Sequence, residues 1–263
     1  MTAQDPRAVL SRPAAAPDAV LRYGPAADHL IDVHLPRSRT QAPLVVLMHG
    51  GFWRAAFDRR HTRPMACALR DEGYVVVTPE FRRTGAGGGW TATFDDVATV
   101  RDRLADLLGQ VLPGRVAADP AVLVGHSAGG HLALWWSLTG GGEPVVALAP
   151  VADLERAYVD DLDGGAVAAL LGGSPADVPE RYQAADPAVL LRARSIDATV
   201  LHGTDDAHVP VSHSRDLTGV DLVELPGVEH FALIDPLSAA WPQVLAAVGR
   251  SGGAGGHRLA SKV

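Results

Sequence analysis

Six short runs of mainly β-branched and aliphatic residues, Leu44–Met48, Tyr74–Thr78, Ala121–Val124, Val145–Leu148, Ala198–Leu201 and Val220–Leu225, alternate with longer segments of helical period. An uninterrupted apolar run is what a strand covered on both faces requires, and joining two parallel strands needs a crossover long enough for a helix. The alternation therefore predicts an α/β architecture: a mostly parallel sheet with helices on both faces. Candidate helices fall at Pro64–Glu72, Phe94–Leu108, Ala128–Leu138, Ser212–Leu217 and Pro236–Val248, the last with Pro236 suited to an early helical position.

Two earlier segments, Ala19–Tyr23 and Leu30–Leu35, flank Gly24-Pro25, and the second alternates Ile31, Val33 and Leu35 with Asp32 and His34. They read as an antiparallel hairpin at the sheet edge, which makes the sheet eight-stranded. From Asp153 to Arg194 the alternation is broken by an acidic start, Gly164-Gly165, Gly172-Gly173 and several prolines. An insertion at the carboxyl ends of parallel strands lies where ligands approach, so this stretch, about 153–194, is expected to form a short cap. The expected organisation is a flexible N-terminal segment over 1–18, a folded domain over 19–250, and a disordered glycine-rich tail over 251–263.

With 30 acidic against 23 basic residues the formal charge is −7, and no Lys/Arg cluster stands out. That distribution argues against nucleic acid and against an anionic membrane surface as partners. Cys67 is the single cysteine, so neither an intrachain disulfide nor a thiolate cluster can form within one chain. The first 25 residues are interrupted by charges and prolines and hold no signal-peptide core, which makes the cytoplasm the expected location. The histidines show no metal-ligand spacing, so no metal and no cofactor are expected. Oligomeric state is left open, a homodimer included.

The sharpest local motif is Gly125-His126-Ser127-Ala128-Gly129. It follows the strand Val122-Leu123-Val124 and leads directly into an apolar helix, the strand–turn–helix context in which a serine hydroxyl projects from the end of a sheet. Ser127 is the candidate nucleophile. A serine hydroxyl needs a base to take its proton, and among eleven histidines His230 is best placed, in the loop Pro226–Phe231 after the last strand. A carboxylate must orient that imidazole. The loop His202–Pro210 offers adjacent Asp205 and Asp206, of which only one can point inward; Asp206 is preferred, Asp205 remains the alternative, and Asp153 is a third candidate. An oxyanion would be met by the backbone N–H of Ala128 and, after the strand Leu44–Met48, by those of Gly51 and Phe52.

On these motifs the chain resembles the α/β-hydrolase superfamily from about Ala19 to Val248. His49-Gly50-Gly51-Phe52-Trp53 is similar to the HGGxW motif of kynurenine formamidase and its esterase relatives, Gly125–Leu134 to their GHSAGxHLA, and His202–Pro210 to their HGxxDxxVP acid loop. The resemblance implies the α/β-hydrolase fold, a loop supported by His49 and Gly50, and Asp206 rather than Asp205 as the acid. Glu80-Phe81-Arg82-Arg83 and Gly87-Gly88-Gly89-Trp90 are similar to the wider esterase and prolyl-oligopeptidase-like relatives.

Phe52, Trp53, Phe57, Trp90, Tyr158 and Phe231 fall in loops near strand ends, and Trp53, Trp90 and Phe231 are the candidate substrate-binding residues. The expected reaction is hydrolysis of a small ester or aryl formamide through an acyl-enzyme. The rivals are a peptidase and a ligand-binding protein that keeps the fold without turnover.

Overall fold

The computed structural model describes residues 5–38 and 40–252. Its strands are β1 (Ala19–Arg22), β2 (Leu30–His34), β3 (Leu44–Met48), β4 (Val75–Pro79), β5 (Val122–His126), β6 (Val145–Leu148), β7 (Ala198–Gly203) and β8 (Asp221–Leu225). They form one sheet in the order β1-β2-β4-β3-β5-β6-β7-β8. The pairs β1/β2 and β2/β4 are antiparallel and all the others parallel, so the expected hairpin does form the edge of an eight-stranded sheet.

The helices are α1 (Ala8–Ser11), α2 (Arg63–Asp71), α3 (Ala92–Val111), α4 (Ala128–Thr139), α5 (Leu154–Val159), α6 (Ala166–Leu171), α7 (Pro179–Ala185), α8 (Pro187–Leu190), α9 (Ser212–Arg215) and α10 (Trp241–Ser251). Every residue of β3, β4, β5, β6 and β7 is buried, which is why these strands read as apolar runs rather than alternating ones. One apolar layer joins the sheet to Phe94, Val97 and Val100 of α3 and Leu132 and Trp136 of α4; the other joins it to Met65 and Leu69 of α2 and Val244 and Val248 of α10. Helices α5 to α8 occupy the expected cap region between β6 and β7.

Two expectations are corrected. Within the segment read as flexible, residues 8–11 form a helical turn, Val9 is buried in the same layer as Leu233 and Ile234, and Arg12 is paired with Asp235. The last helix begins at Trp241, not Pro236: Asp235 Oδ1 accepts from the Leu237 amide and the Ser238 hydroxyl donates to the Ala232 carbonyl, closing a turn, and Pro242 takes the first-turn position. Of the glycine-rich tail, Ser251 ends α10 and Gly252 caps it; 253–263 lie outside the described residues. Among the described residues no helix is long and apolar enough to cross a membrane.

The chain order reverses at β3, whose neighbours are β4 on one side and β5 on the other. The carboxyl ends of β3 and β5 therefore flank the crevice where an open α/β sheet takes its ligands.

Candidate active site

Ser127 stands between β5 and α4 with φ 55° and ψ −119°, a conformation L-residues rarely adopt. Its amide donates to the Leu148 carbonyl at 2.8 Å, and its own carbonyl accepts from His131 and Val151. The turn needs its glycines: a Cβ on Gly125 would lie 2.2 Å from the Gly129 carbonyl oxygen, and one on Gly129 2.2 Å from that of Met48. Close backbone packing thus holds the serine at the carboxyl end of β5. Ser127 is fully buried and its hydroxyl has no hydrogen-bond partner among the described residues.

His230 opens a short 3-10 turn after β8, and its Nδ1 donates to Asp206 Oδ2 at 2.6 Å. Asp206 Oδ1 accepts from the amides of His208 and Val209, each at 2.8 Å. Burial opposes ionisation of Asp206, but His202 Nε2 at 3.4 Å, His230 and the Val209 amide hold its carboxyl far below the ordinary range. Asp205 is exposed and its side chain accepts from the Thr204 hydroxyl, while Asp153 caps α5 by accepting from the Arg156 amide. The structure therefore brings Asp206, and neither alternative, to His230.

His126 ties the two halves of the site together. Its Nε2 donates to the His230 carbonyl at 3.1 Å, and the two rings are 4.4 Å apart. Burial, and then the nearby His230, push His126 well below the usual histidine range. Burial leads the same downward shift in His208, whose ring is 5.2 Å from that of His230, and in His61, which is lowered to about 4. These flanking imidazoles are neutral near pH 7. The serine–histidine hydrogen bond expected from the sequence is not made.

After β3, Gly51 has φ 110°, Phe52 φ 48° and Trp53 φ 56°, a run of left-handed residues that turns the chain back across the end of β5. The amides of Gly51, Phe52 and Ala128 donate to no acceptor among the described residues. Gly50 fits closely, since a Cβ there would lie 2.8 Å from the His126 carbonyl oxygen and 3.1 Å from Ser127 Cβ. His49 Nδ1 lies 2.9 Å from the Gly50 carbonyl oxygen and Nε2 2.8 Å from Glu80 Oε1, so both ring nitrogens face acceptors. Burial would push the Glu80 carboxyl up, yet His49, the Arg59 amide and Arg83 hold it down at about 2.

The aromatic residues divide. Phe231 is half-buried, with its ring 5.1 Å from His230 and 5.0 Å from His208. Trp53 is 1 % exposed and packs edge-on to His131 at 5.1 Å. Trp90 packs on Phe94 at 5.1 Å and its amide donates to Leu170, joining the aromatic layer under the cap. Glu80, Arg59 and His208 were not singled out by sequence; the only signal for Glu80 was the string Glu80–Arg83.

The model of the BD-FAE family matches residues 31–220. Esterase B from Lactobacillus rhamnosis is structurally similar, with a TM-score of 0.74 and 19 % identity over 95 % of this chain and 90 % of that one. A truncated carbohydrate esterase from gut microbiota has a TM-score of 0.72 and 18 % identity over 90 % and 99 % of the two chains. A bifunctional GH43-CE protein of Bacteroides eggerthii has a TM-score of 0.69 and 21 % identity over 89 % of this chain, which spans only 38 % of that one. A search of curated proteins returns no match. At these identities the likeness is one of fold, and the shared architecture is that of the α/β-hydrolases.

Proposed function

The chain belongs to the BD-FAE family, and from that premise we propose that it is a serine esterase cleaving a small carboxylic ester or aryl formamide through an acyl-enzyme. The observation that carries this reading is the buried Asp206–His230 pair, joined through His126 to the strained turn at Ser127, which packs against Gly50 of a loop whose Gly51 and Phe52 amides donate to no acceptor among the described residues.

In this reading the Ser127 hydroxyl attacks the carbonyl carbon and gives its proton to His230 Nε2. Asp206 fixes the ring with Nδ1 protonated and stabilises the imidazolium. The N–H groups of Gly51, Phe52 and Ala128 take up the oxyanion, and His230 returns the proton to the departing alcohol or amine. Water then repeats the sequence on the acyl-serine. The serine–histidine bond, not made in the free protein, forms when substrate binds.

The similar folds of esterase B and the carbohydrate esterase favour an ester substrate. The His49–Trp53 motif keeps an aryl formamide, the kynurenine formamidase-like chemistry, as the finer alternative.

The test is a substrate panel of short p-nitrophenyl esters, feruloyl esters, N-formylkynurenine and prolyl amides, run on the parent and on Ser127→Ala. Ester turnover in the parent and a fall in kcat on the order of a million-fold in the variant are expected. Equal rates for the two proteins reject the assignment. Preference for the formamide or the prolyl amide moves the substrate class accordingly, and a Ser127 that neither turns over esters nor reacts with a fluorophosphonate makes the protein a binding module.

A further inference from the structure

We infer that Glu80 is a positioning residue for the oxyanion hole, acting through His49 on the direction of the Gly51 amide. The inference rests on the esterase reading above.

Glu80 follows β4 and is buried, and both its oxygens are engaged. Oε1 accepts from His49 Nε2 at 2.8 Å and from the Phe81 amide at 3.2 Å, while Oε2 accepts from the Arg59 amide at 3.0 Å. Arg83 Nε lies 3.3 Å from Oε1 and an Arg59 guanidinium nitrogen 3.6 Å from Oε2. Arg59 in turn is anchored on Asp32, also buried, with Nε donating at 2.7 Å. The carboxylate is fixed from several directions and cannot follow the ring it holds.

His49 is fixed by the same arrangement. One nitrogen is on Glu80, one face is stacked on Phe81 at 4.4 Å with the planes 5° apart, and the remaining nitrogen lies 2.9 Å from the Gly50 carbonyl oxygen. That last contact reaches the chemistry. The Gly50 carbonyl and the Gly51 N–H belong to one planar trans peptide and point in opposite directions. Holding the carbonyl on His49 therefore aims the Gly51 N–H away from the ring. Glycine stands on both sides of this peptide, so side-chain sterics do little to fix its rotation. The ring supplies the restraint, and Glu80 restrains the ring.

A purely structural Glu80 would matter only for stability, so the test separates the two. The parent, E80Q, H49Q and the double variant are compared on p-nitrophenyl acetate, with Ser127→Ala as control, and each is unfolded in urea. The expected result is a fall in kcat of about 10- to 100-fold for E80Q and for H49Q, with KM within about twofold, since complete loss of one oxyanion donor costs about 10²–10³. The double variant is expected to be no more than about threefold worse than the poorer single variant, because both changes release the same peptide. The inhibition constant of an aryl trifluoromethyl ketone should rise in parallel with the loss in kcat.

An E80Q that unfolds at lower urea but keeps its kcat within about twofold, or losses that multiply in the double variant, overturns the inference. If E80Q gives no folded protein, H49Q decides: an unchanged kcat removes the route to the loop, and a tenfold or greater loss at constant KM supports it. Ser127-dependent turnover with no effect of either variant defeats this inference alone, whereas absence of Ser127-dependent turnover defeats the esterase reading and the inference with it.

Discussion

The Nδ1 of His230 lies 2.6 Å from Oδ2 of Asp206, and water reaches almost none of either side chain. The other carboxylate oxygen is committed to two backbone amides, so Asp206 cannot turn to follow the ring. Asp206→Asn should keep the shape of this contact while presenting an amide N–H or a weaker acceptor to His230. A fall in kcat on the order of 10⁴ with little change in KM is expected from steady-state ester hydrolysis. A loss below about tenfold would transfer the orienting role to another group.

The strained backbone of Ser127 carries a second expectation. A non-glycine residue held in such a region costs about 1–3 kcal/mol, and glycine recovers this less about 0.5–1 kcal/mol of chain entropy. Ser127→Gly should abolish turnover and raise the melting temperature by about 2–6 °C in scanning calorimetry. An unchanged or lowered Tm would mean that the elbow stores no strain.

Gly50 allows a sharper test of the loop. Its Cα faces the His126 carbonyl and Ser127 Cβ so closely that Gly50→Ala must push the loop off the elbow. The expected outcome is a folded protein, by circular dichroism, whose kcat falls by about 10²–10³. Full activity in Gly50→Ala would remove the Gly51 and Phe52 amides from the oxyanion site.

Acid should expose the buried carboxylate at Glu80. Its folded pKa of about 2 lies below the ordinary 4.5, so its contribution to stability is complete above about pH 4.5 and is lost as the pH falls through 2. The contribution is on the order of 3 kcal/mol at pH 6. Urea unfolding from pH 6 to 2.5 should show the gap between the parent and Glu80→Gln closing toward the acid end. A gap that stays constant with pH would place the stabilisation elsewhere.

Much of the scaffold was legible because burial on both faces leaves an unmistakable mark: five fully buried strands appear as uninterrupted apolar runs, and the alternation of Ile31 and Val33 with polar residues marked the hairpin strand. The turn at Ser127 was legible for a different reason, since only glycine tolerates the backbone contacts at 125 and 129. Adjacent Asp205 and Asp206 could not be separated by composition; what distinguishes them is the turn that gives Asp206 two amides and leaves Asp205 in solvent. The burial of Trp53 was not legible, because a large aromatic residue beside the loop glycines carries no local sign of facing inward. Glu80 was obscure because its partners, His49 and Arg59, are 31 and 21 residues away in the chain, and no local pattern records such a contact.

The pairing of Arg12 with Asp235, together with Val9 packed in the layer of Leu233 and Ile234, changes where this protein can be cut. Those partners belong to the turn that begins at His230. A recombinant version trimmed to start at the first strand would keep its whole sheet and still lose the brace behind His230, and a bulky tag fused close to residue 8 would press on the same turn. Anyone shortening or decorating the amino end is therefore working on the turn that carries His230.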